Sequence, residues 1–362
     1  MTDFGYVGWA GRQNLGDDAI FEALRARLEP AALLEVPLYP GEVASFMVHG
    51  DRARLRHARP LLGGGTVIGR WTWRVHLRTA LLLARTRPAV MIGAGVEDPE
   101  FGGLHSFGSE RELRRWRALL GDFDRVTVRG PRSQQLLAGV GVDADVVGDP
   151  ALLLEPTGAV EPDAHTVGVA LGFGDDLWGH SQDAVVGSVA GALRELADRG
   201  WSIRFFVVNP EDRESAERCA ARAGLVPART QIVPAVVPDD YLREVARCTV
   251  LVGQRLHAVV LAACASVPAV MLEYQPKCRD FMESIDRADW LVRTDRIDAA
   301  AVLDRVLAAE ASRDLQSHQI EQSVGVLRSR LAAELTHVRE MAGVETPSAA
   351  RRIDATRGAQ GS

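Results

Sequence analysis

The sequence has almost no lysine. Of its 42 Lys and Arg side chains, 41 are Arg, and the single Lys stands at position 277. Arg has GC-rich codons, which accounts for the general excess but not for the position of the exception. Cysteine is scarce too. Cys219, Cys248, Cys264 and Cys278 are scattered without a C-x-x-C pair, a spacing that points to neither a zinc site nor a disulfide framework. No His-rich or Asp-rich cluster suggests a metal. The longest apolar stretch, residues 258–272, is broken by Ser266 and Pro268 and is too short to span a bilayer. The start, Met1-Thr2-Asp3-Phe4-Gly5, lacks the basic region and apolar core of a signal peptide. A cytoplasmic protein is expected. The formal net charge of −6 argues against nucleic-acid binding, which needs a basic face to neutralise phosphates.

What is present is ordinary for a folded chain. Apolar residues make up 47% and charged residues 25% of 362 positions. At about 150 residues per domain this predicts two domains. Short β-like runs at 4–7, 32–36, 60–62, 89–92, 125–128 and 144–147 alternate with helical stretches at 17–28, 76–85, 109–120 and 131–138. Residues 154–163 are polar with two prolines and read as a linker. The alternation then restarts, with strands at 166–171, 202–208, 231–233, 250–251 and 269–272 between helices at 182–199, 212–223, 239–247 and 256–265. Such alternation predicts parallel sheets covered by helices. The fold class is α/β, with two Rossmann-like domains facing a cleft: an N-terminal domain at 1–155, a C-terminal domain at 164–312, a closing helix at 313–345 and a disordered tail at 346–362.

Four segments carry candidate chemistry. The first runs Gly8-Trp9-Ala10-Gly11-Arg12-Gln13-Asn14-Leu15-Gly16-Asp17-Asp18 and opens a helix directly after strand one. Asp17 or Asp18 either caps that helix or, for Asn14 and Asp17, grips hydroxyls of a polyol. The second is Gly63-Gly64-Gly65-Thr66, matched by Gly93-Ala94-Gly95 at another strand end. Runs of glycine cost chain entropy and suit close approach to a ligand or another segment. Trp71 and Trp73 nearby either pack in the core or stack on sugar rings.

The third is Arg129-Gly130-Pro131-Arg132-Ser133, followed by Gly148-Asp149-Pro150. Arg129 is either a ligand clamp or an interdomain ion pair. Asp149 either satisfies its turn or pairs with a cation such as Arg129. The fourth joins Gly253-Gln254-Arg255-Leu256-His257 to Glu273-Tyr274-Gln275-Pro276-Lys277. Arg255 and His257 stand at a helix N-terminus, where the macrodipole favours an anion. His257 alone reads as a structural histidine, and a lone Lys on the loop after 272 as solvated. Together, at neighbouring strand ends facing a glycine-lined cleft, they indicate an anionic ligand. Glu273 stands close enough in sequence to pair with Lys277.

In this order and over nearly the whole chain, these segments resemble the polysaccharide pyruvyl transferase family. The resemblance rests on Asn14-Leu15-Gly16-Asp17, Gly63-Gly64-Gly65, Arg129 with Ser133, Asp149-Pro150, Arg255-Leu256-His257 and Lys277. It implies a fold similar to GT-B glycosyltransferases. It also implies transfer of the enolpyruvyl carbons of phosphoenolpyruvate onto two sugar hydroxyls, giving a cyclic pyruvate ketal and phosphate. On that basis His257 and Asp17 are the candidate catalytic residues. Arg255, Lys277, Arg129 and Gly253 are the donor-binding candidates, and Asn14, Gly16, Gly64, Gly65, Trp71 and Gly95 the acceptor-binding ones. Partners are phosphoenolpyruvate as co-substrate and a carbohydrate, with peripheral membrane contact if that carbohydrate is lipid-linked. No other cofactor and no metal is expected. Gly130-Pro131 departs from the family, where an acidic residue often follows the Arg. The competing readings are a GT-B glycosyltransferase using a nucleotide sugar and a non-catalytic sugar- or anion-binding protein.

Overall fold

A computed structural model describes residues 1–39, 41–42, 46, 48, 52–102, 108–158, 160–172, 174, 176–234 and 237–344. The tail expected at 346–362 lies outside them. In the N-terminal half a parallel sheet runs in the order Leu33–Glu35, Phe4–Val7, Arg59–Gly63, Val90–Ile92. Two short parallel pairs form separate two-stranded sheets: Thr66–Ile68 with Gly95–Val96, and Thr127–Val128 with Asp145–Val146. In the C-terminal half six parallel strands run Thr230–Pro234, Ser202–Val207, Thr166–Ala170, Val250–Gly253, Ala269–Glu273, Leu291–Arg293. The central strands Thr166–Ala170 and Val250–Gly253 are buried on both faces, as a sheet covered by helices on two sides requires.

Three features depart from the sequence reading. The strands Thr66–Ile68 and Gly95–Val96 lie in segments read as glycine loops. The helix after Arg70 begins at Trp71, five residues earlier than its apolar periodicity indicates. The segment holding Lys277 is not a loop but the first turn of helix Pro276–Ser284, with Pro276 as the first helical residue. Proline at that position is pre-set for the helix, so Gln275-Pro276 was the signal for it.

The halves are joined by two devices. Helix Arg313–Met341 leaves the second half and returns over the first, burying Ile320, Val324, Leu327, Leu331, Leu335 and Val338. Steps of three and four place that stripe on one helical face. Arg328 on the same helix donates to the carbonyls of Leu152 (2.6 Å) and Leu154 (2.8 Å). The apolar core is consequently continuous from Phe4 and Ile20 through Val252 to Val338.

The second device is polar. Arg129 is fully buried, with Nε 3.4 Å from Asp280 across the interface and Nη1 4.0 Å from Asp149. Asp280 also accepts from the Ser133 hydroxyl (2.7 Å) and amide (3.0 Å). Of the two readings of Arg129, the structure has the interdomain ion pair. The departure at Gly130 follows: a Cβ there would lie 2.1 Å from the Asp280 carbonyl oxygen. Asp280 supplies, from the other half, the carboxylate that residue 130 does not.

Removing one member of a buried ion cluster leaves an uncompensated charge. Asp280→Ala is expected to cost about 3 kcal/mol, measured by urea denaturation.

Candidate active site

The first helix, Leu15–Leu28, is capped by Asn14 and not by either Asp. The Asn14 side-chain oxygen accepts from the Gly16 amide (3.2 Å). Its Nδ2 donates to Asp17 (2.6 Å). Asp18 turns the other way and accepts from the Gly11 amide (2.7 Å). Asp17 is thereby left at the helix start, facing the cleft.

Opposite it stands His257, in the first turn of helix Leu256–Cys264. The contact is so close that a Cβ on Gly16 would fall 2.0 Å from His257 Nδ1. Gly16 therefore admits the histidine ring and stands with it at the cavity wall. The far nitrogen, Nε2, lies 3.5 Å from Asp149 Oδ2. Asp149 is fully buried and also accepts from the Ala151 amide (3.0 Å). Burial alone would raise its pKa, but His257 and Arg129 outweigh that and hold the carboxyl below its ordinary range. Both alternatives for Asp149 thus hold at once, and a third partner, His257, is added. The sequence reading missed this link because residues 149 and 257 meet only through the domain interface.

Arg255 precedes the same helix and clasps Asp212 through Nε (3.0 Å to each carboxylate oxygen) and Nη2. Asp212 is fully buried at the start of helix Asp212–Ala223. It is a site residue that the sequence reading passed over; its position after a strand end was the available signal. Lys277 extends its Nζ over the Tyr274 ring at 4.8 Å. Glu273, its expected competitor, is engaged by Arg279 at 2.8 and 2.9 Å. Among the described residues no carboxylate pairs with Lys277, which leaves an ammonium at the cleft with its charge unspent.

These groups border one cavity of about 300 Å³ between the halves, at the small end of ordinary ligand sites. Asn14, Asp17, Gly64, Gly65 and Thr66 form one wall, and Arg255, His257, Tyr274 and Lys277 the other. Trp9, Trp73 and Arg70 close its outer end. Arg70 is held by Glu97 at 2.8 Å.

Three expected residues do not line it. Trp71 is 51% exposed on the outside, and its neighbour Trp73 faces the cavity instead. Gly95 packs on Arg129, whose Nη2 would be 2.6 Å from a Cβ. Gly253 makes room for Val259, 2.4 Å from its own missing Cβ. Arg129 reaches the cavity floor but is enclosed, its charge met by Asp280 and Asp149. Among the described residues no group of three His, Cys, Asp or Glu side chains is arranged to hold a metal.

The profile of the polysaccharide pyruvyl transferases matches residues 14–276, from the helix-capping Asn14 to the residue before Lys277. The chain belongs to this family. No curated protein sequence matches it. Among solved structures it is similar to S. aureus MnaA in complex with UDP, at 13% identity and a TM-score of 0.59, covering 96% of this chain and 99% of that one. It is also similar to UDP-GlcNAc 2-epimerase from Neisseria meningitidis bound to UDP-GlcNAc, at 9% identity and 0.58, with 94% and 99% covered. A glycosyltransferase from Rickettsia africae gives 9% and 0.54, covering 96% and 100%. At such identities the likeness concerns the fold, and that fold is GT-B-like.

Enclosure in the cleft pushes the Asp17 carboxyl up from 3.8 to about 6, against the pull of His257 and Lys277. The folded protein holds this proton more tightly than the unfolded chain. The group therefore favours folding below about pH 4, and that contribution is lost as the pH rises through 6. Asp17→Asn is expected to stabilise the protein by about 2 kcal/mol at pH 7.5, after allowance for partial exposure, and by nothing at pH 4. Urea melts at the two pH values measure the difference.

Proposed function

We propose that the protein forms a cyclic pyruvate ketal on a sugar, taking the enolpyruvyl carbons from phosphoenolpyruvate and releasing phosphate. The observation that carries this reading is the convergence of Lys277, Arg255, His257 and Asp17 on one cavity in a chain of the pyruvyl transferase family.

The donor carries a carboxylate and a phosphate of about −1.5 to −2 charges. Lys277, a compact point charge in a helical first turn, suits the phosphate. Arg255, held by Asp212 through Nε and Nη2, lines the same cavity and is the cation placed for the carboxylate. The C-terminal half is thus the donor side. The acceptor enters from the N-terminal half, between Gly64-Gly65 and the wall of Trp9 and Trp73.

The proton ledger needs one proton delivered to C3 of the donor and one taken from each of two sugar hydroxyls. C2 gains two bonds to sugar oxygens and loses both its π bond to C3 and its bond to the phosphate ester oxygen. One hydroxyl proton is balanced by C3, which becomes a methyl group, and the other leaves with phosphate. His257 supplies the proton to C3; Asp149 orients its ring and gives a counter-charge to the imidazolium. Asp17, with a pKa of about 6, is mostly ionised at neutral pH and still basic enough to take a hydroxyl proton. The donor supplies its own leaving group, so the scheme uses no further cofactor. A phosphoenolpyruvate-dependent reaction places the protein in the cytoplasm, where that metabolite is made.

The direct experiment is incubation with phosphoenolpyruvate and a panel of glycosides, reading phosphate release and the ketal mass gain together. Release of nucleoside diphosphate from a sugar nucleotide, with no ketal formed, would overturn the proposal. His257→Ala is expected to lower kcat on the order of 10³-fold with the fold retained. Lys277→Arg keeps the charge but not the compact ammonium. It is expected to raise KM for the donor about tenfold, and a steady-state titration reads this directly.

A further inference from the structure

Charge is unevenly spread along the sequence. Residues 52–96 contain nine Arg and no Asp or Glu, in a chain of net charge −6. Two helices of this stretch lie side by side on the outside of the N-terminal half. Leu55 of helix Arg52–His57 shares a crevice with Ala80 and Leu83 of helix Trp71–Leu83. The chain beyond ties back from the Arg85 amide to the Arg56 carbonyl and from the Thr86 hydroxyl to the His57 carbonyl, each 2.8 Å.

Helix Trp71–Leu83 is apolar on two sides. Trp73, Leu77, Ala80 and Leu81 enter the core. On the other side Trp71, Val75, Leu82 and Leu83 face solvent, with Leu82 77% exposed. A helix with one packed face ordinarily turns a polar face outward. Exposed Arg52, Arg56, Arg78, Arg85 and Arg87 surround the patch. Among the described residues none of these five pairs with a carboxylate.

We infer that this face docks on an anionic lipid bilayer. Trp and Leu side chains enter the interface between headgroups and acyl chains, and the surrounding guanidinium groups meet anionic headgroups. Arg suits the border because its stem lies along apolar surface while its head stays in the polar layer. A second copy of the chain is a poorer occupant. A two-fold interface on this patch would set the basic rims against each other.

The helix begins at the lip of the cleft, beside Arg70 and Trp73, and runs about 18 Å from there. A docked molecule thus holds the cleft mouth at the headgroup layer, within reach of a sugar on a lipid carrier. That last step rests on the proposed function; the docking does not.

The test uses the full chain with vesicles of phosphatidylcholine alone or with phosphatidylglycerol, read by co-sedimentation. Binding on the order of tenfold stronger to the anionic vesicles, weakened by salt, is expected. The double variants Leu82→Ser/Leu83→Ser and Arg78→Gln/Arg85→Gln are each expected to lose about tenfold of that binding. Their turnover of a water-soluble glycoside is expected to stay unchanged. Equal or absent binding to the two vesicle types overturns the inference, as does normal binding by both variants. A dimer in sedimentation velocity that Leu82→Ser/Leu83→Ser dissociates assigns the face to a second copy and overturns it too. Vesicle binding without ketal formation leaves the docking standing and removes the proposed reaction; ketal formation without vesicle binding does the reverse.

Discussion

A single buried guanidinium sets the geometry on which the cleft depends. Arg129 comes from the N-terminal half and finds Asp280 on the C-terminal half and Asp149 on its own. Enclosed charges of this kind contribute little net stability, because desolvation offsets most of their attraction. Their effect is on register: any slide between the halves separates Arg129 from Asp280 and leaves both charges buried and unmet. Ser133 adds two hydrogen bonds to the same carboxylate. With that contact fixed, Asp149 lies behind the His257 ring, and Gly16 lies close enough for the ring to take the space a side chain would fill. Asp149 is thus shared between the interface and the candidate proton-transfer residue, so packing and chemistry are tied at one carboxylate.

The cleft separates two kinds of cation. Arg255, Arg70 and Arg129 each have a carboxylate partner: Asp212, Glu97 and the Asp149–Asp280 pair. Arginine is well suited to that duty, since its planar fork matches a carboxylate. Lys277 differs in residue type and in situation. It sits over an aromatic ring, in a helical first turn, with the nearby Glu273 drawn away by Arg279. Glu273 and Arg279 form a pair that keeps the Lys277 ammonium available to a ligand. Asp17 shows the converse arrangement. Removal from water raises its pKa while the neighbouring cations draw it down, and the result lies close to neutrality.

Much of the fold was legible because parallel strands buried on both faces leave continuous apolar runs. Strand Phe4–Val7 and helices Pro131–Ala138 and Asp212–Ala223 have the bounds their periodicity indicates. The short strands Thr66–Ile68 and Gly95–Val96 were not legible, since two or three residues carry no period. The helix holding Lys277 was hidden by its polar first turn. In the site, Asp17, His257, Arg255 and Lys277 were found because they follow strand ends, where parallel sheets place their loops. Gly95 and Gly253 were correctly noticed as unusual but take up side chains of the protein, Arg129 and Val259, instead of lining the cavity, whereas Gly16 lines it and also gives the His257 ring its space. A glycine marks a close approach; the sequence does not state what approaches.

The sequence by itself determined the two α/β halves, the family, and the set of polar residues available at the strand ends, because these depend on local periodicity and motif order. Tertiary structure decided how those residues divide. Whether a charge faces a ligand or a partner depends on which carboxylate lies within about 4 Å. For Arg129, Arg255 and Lys277 those neighbours come from Asp280, Asp212 and Glu273 with Arg279, and only the first two are engaged by the cation itself. The lone lysine was visible in the sequence as an oddity of composition. That it retains an unspent charge at the cleft is a property of the packing around it.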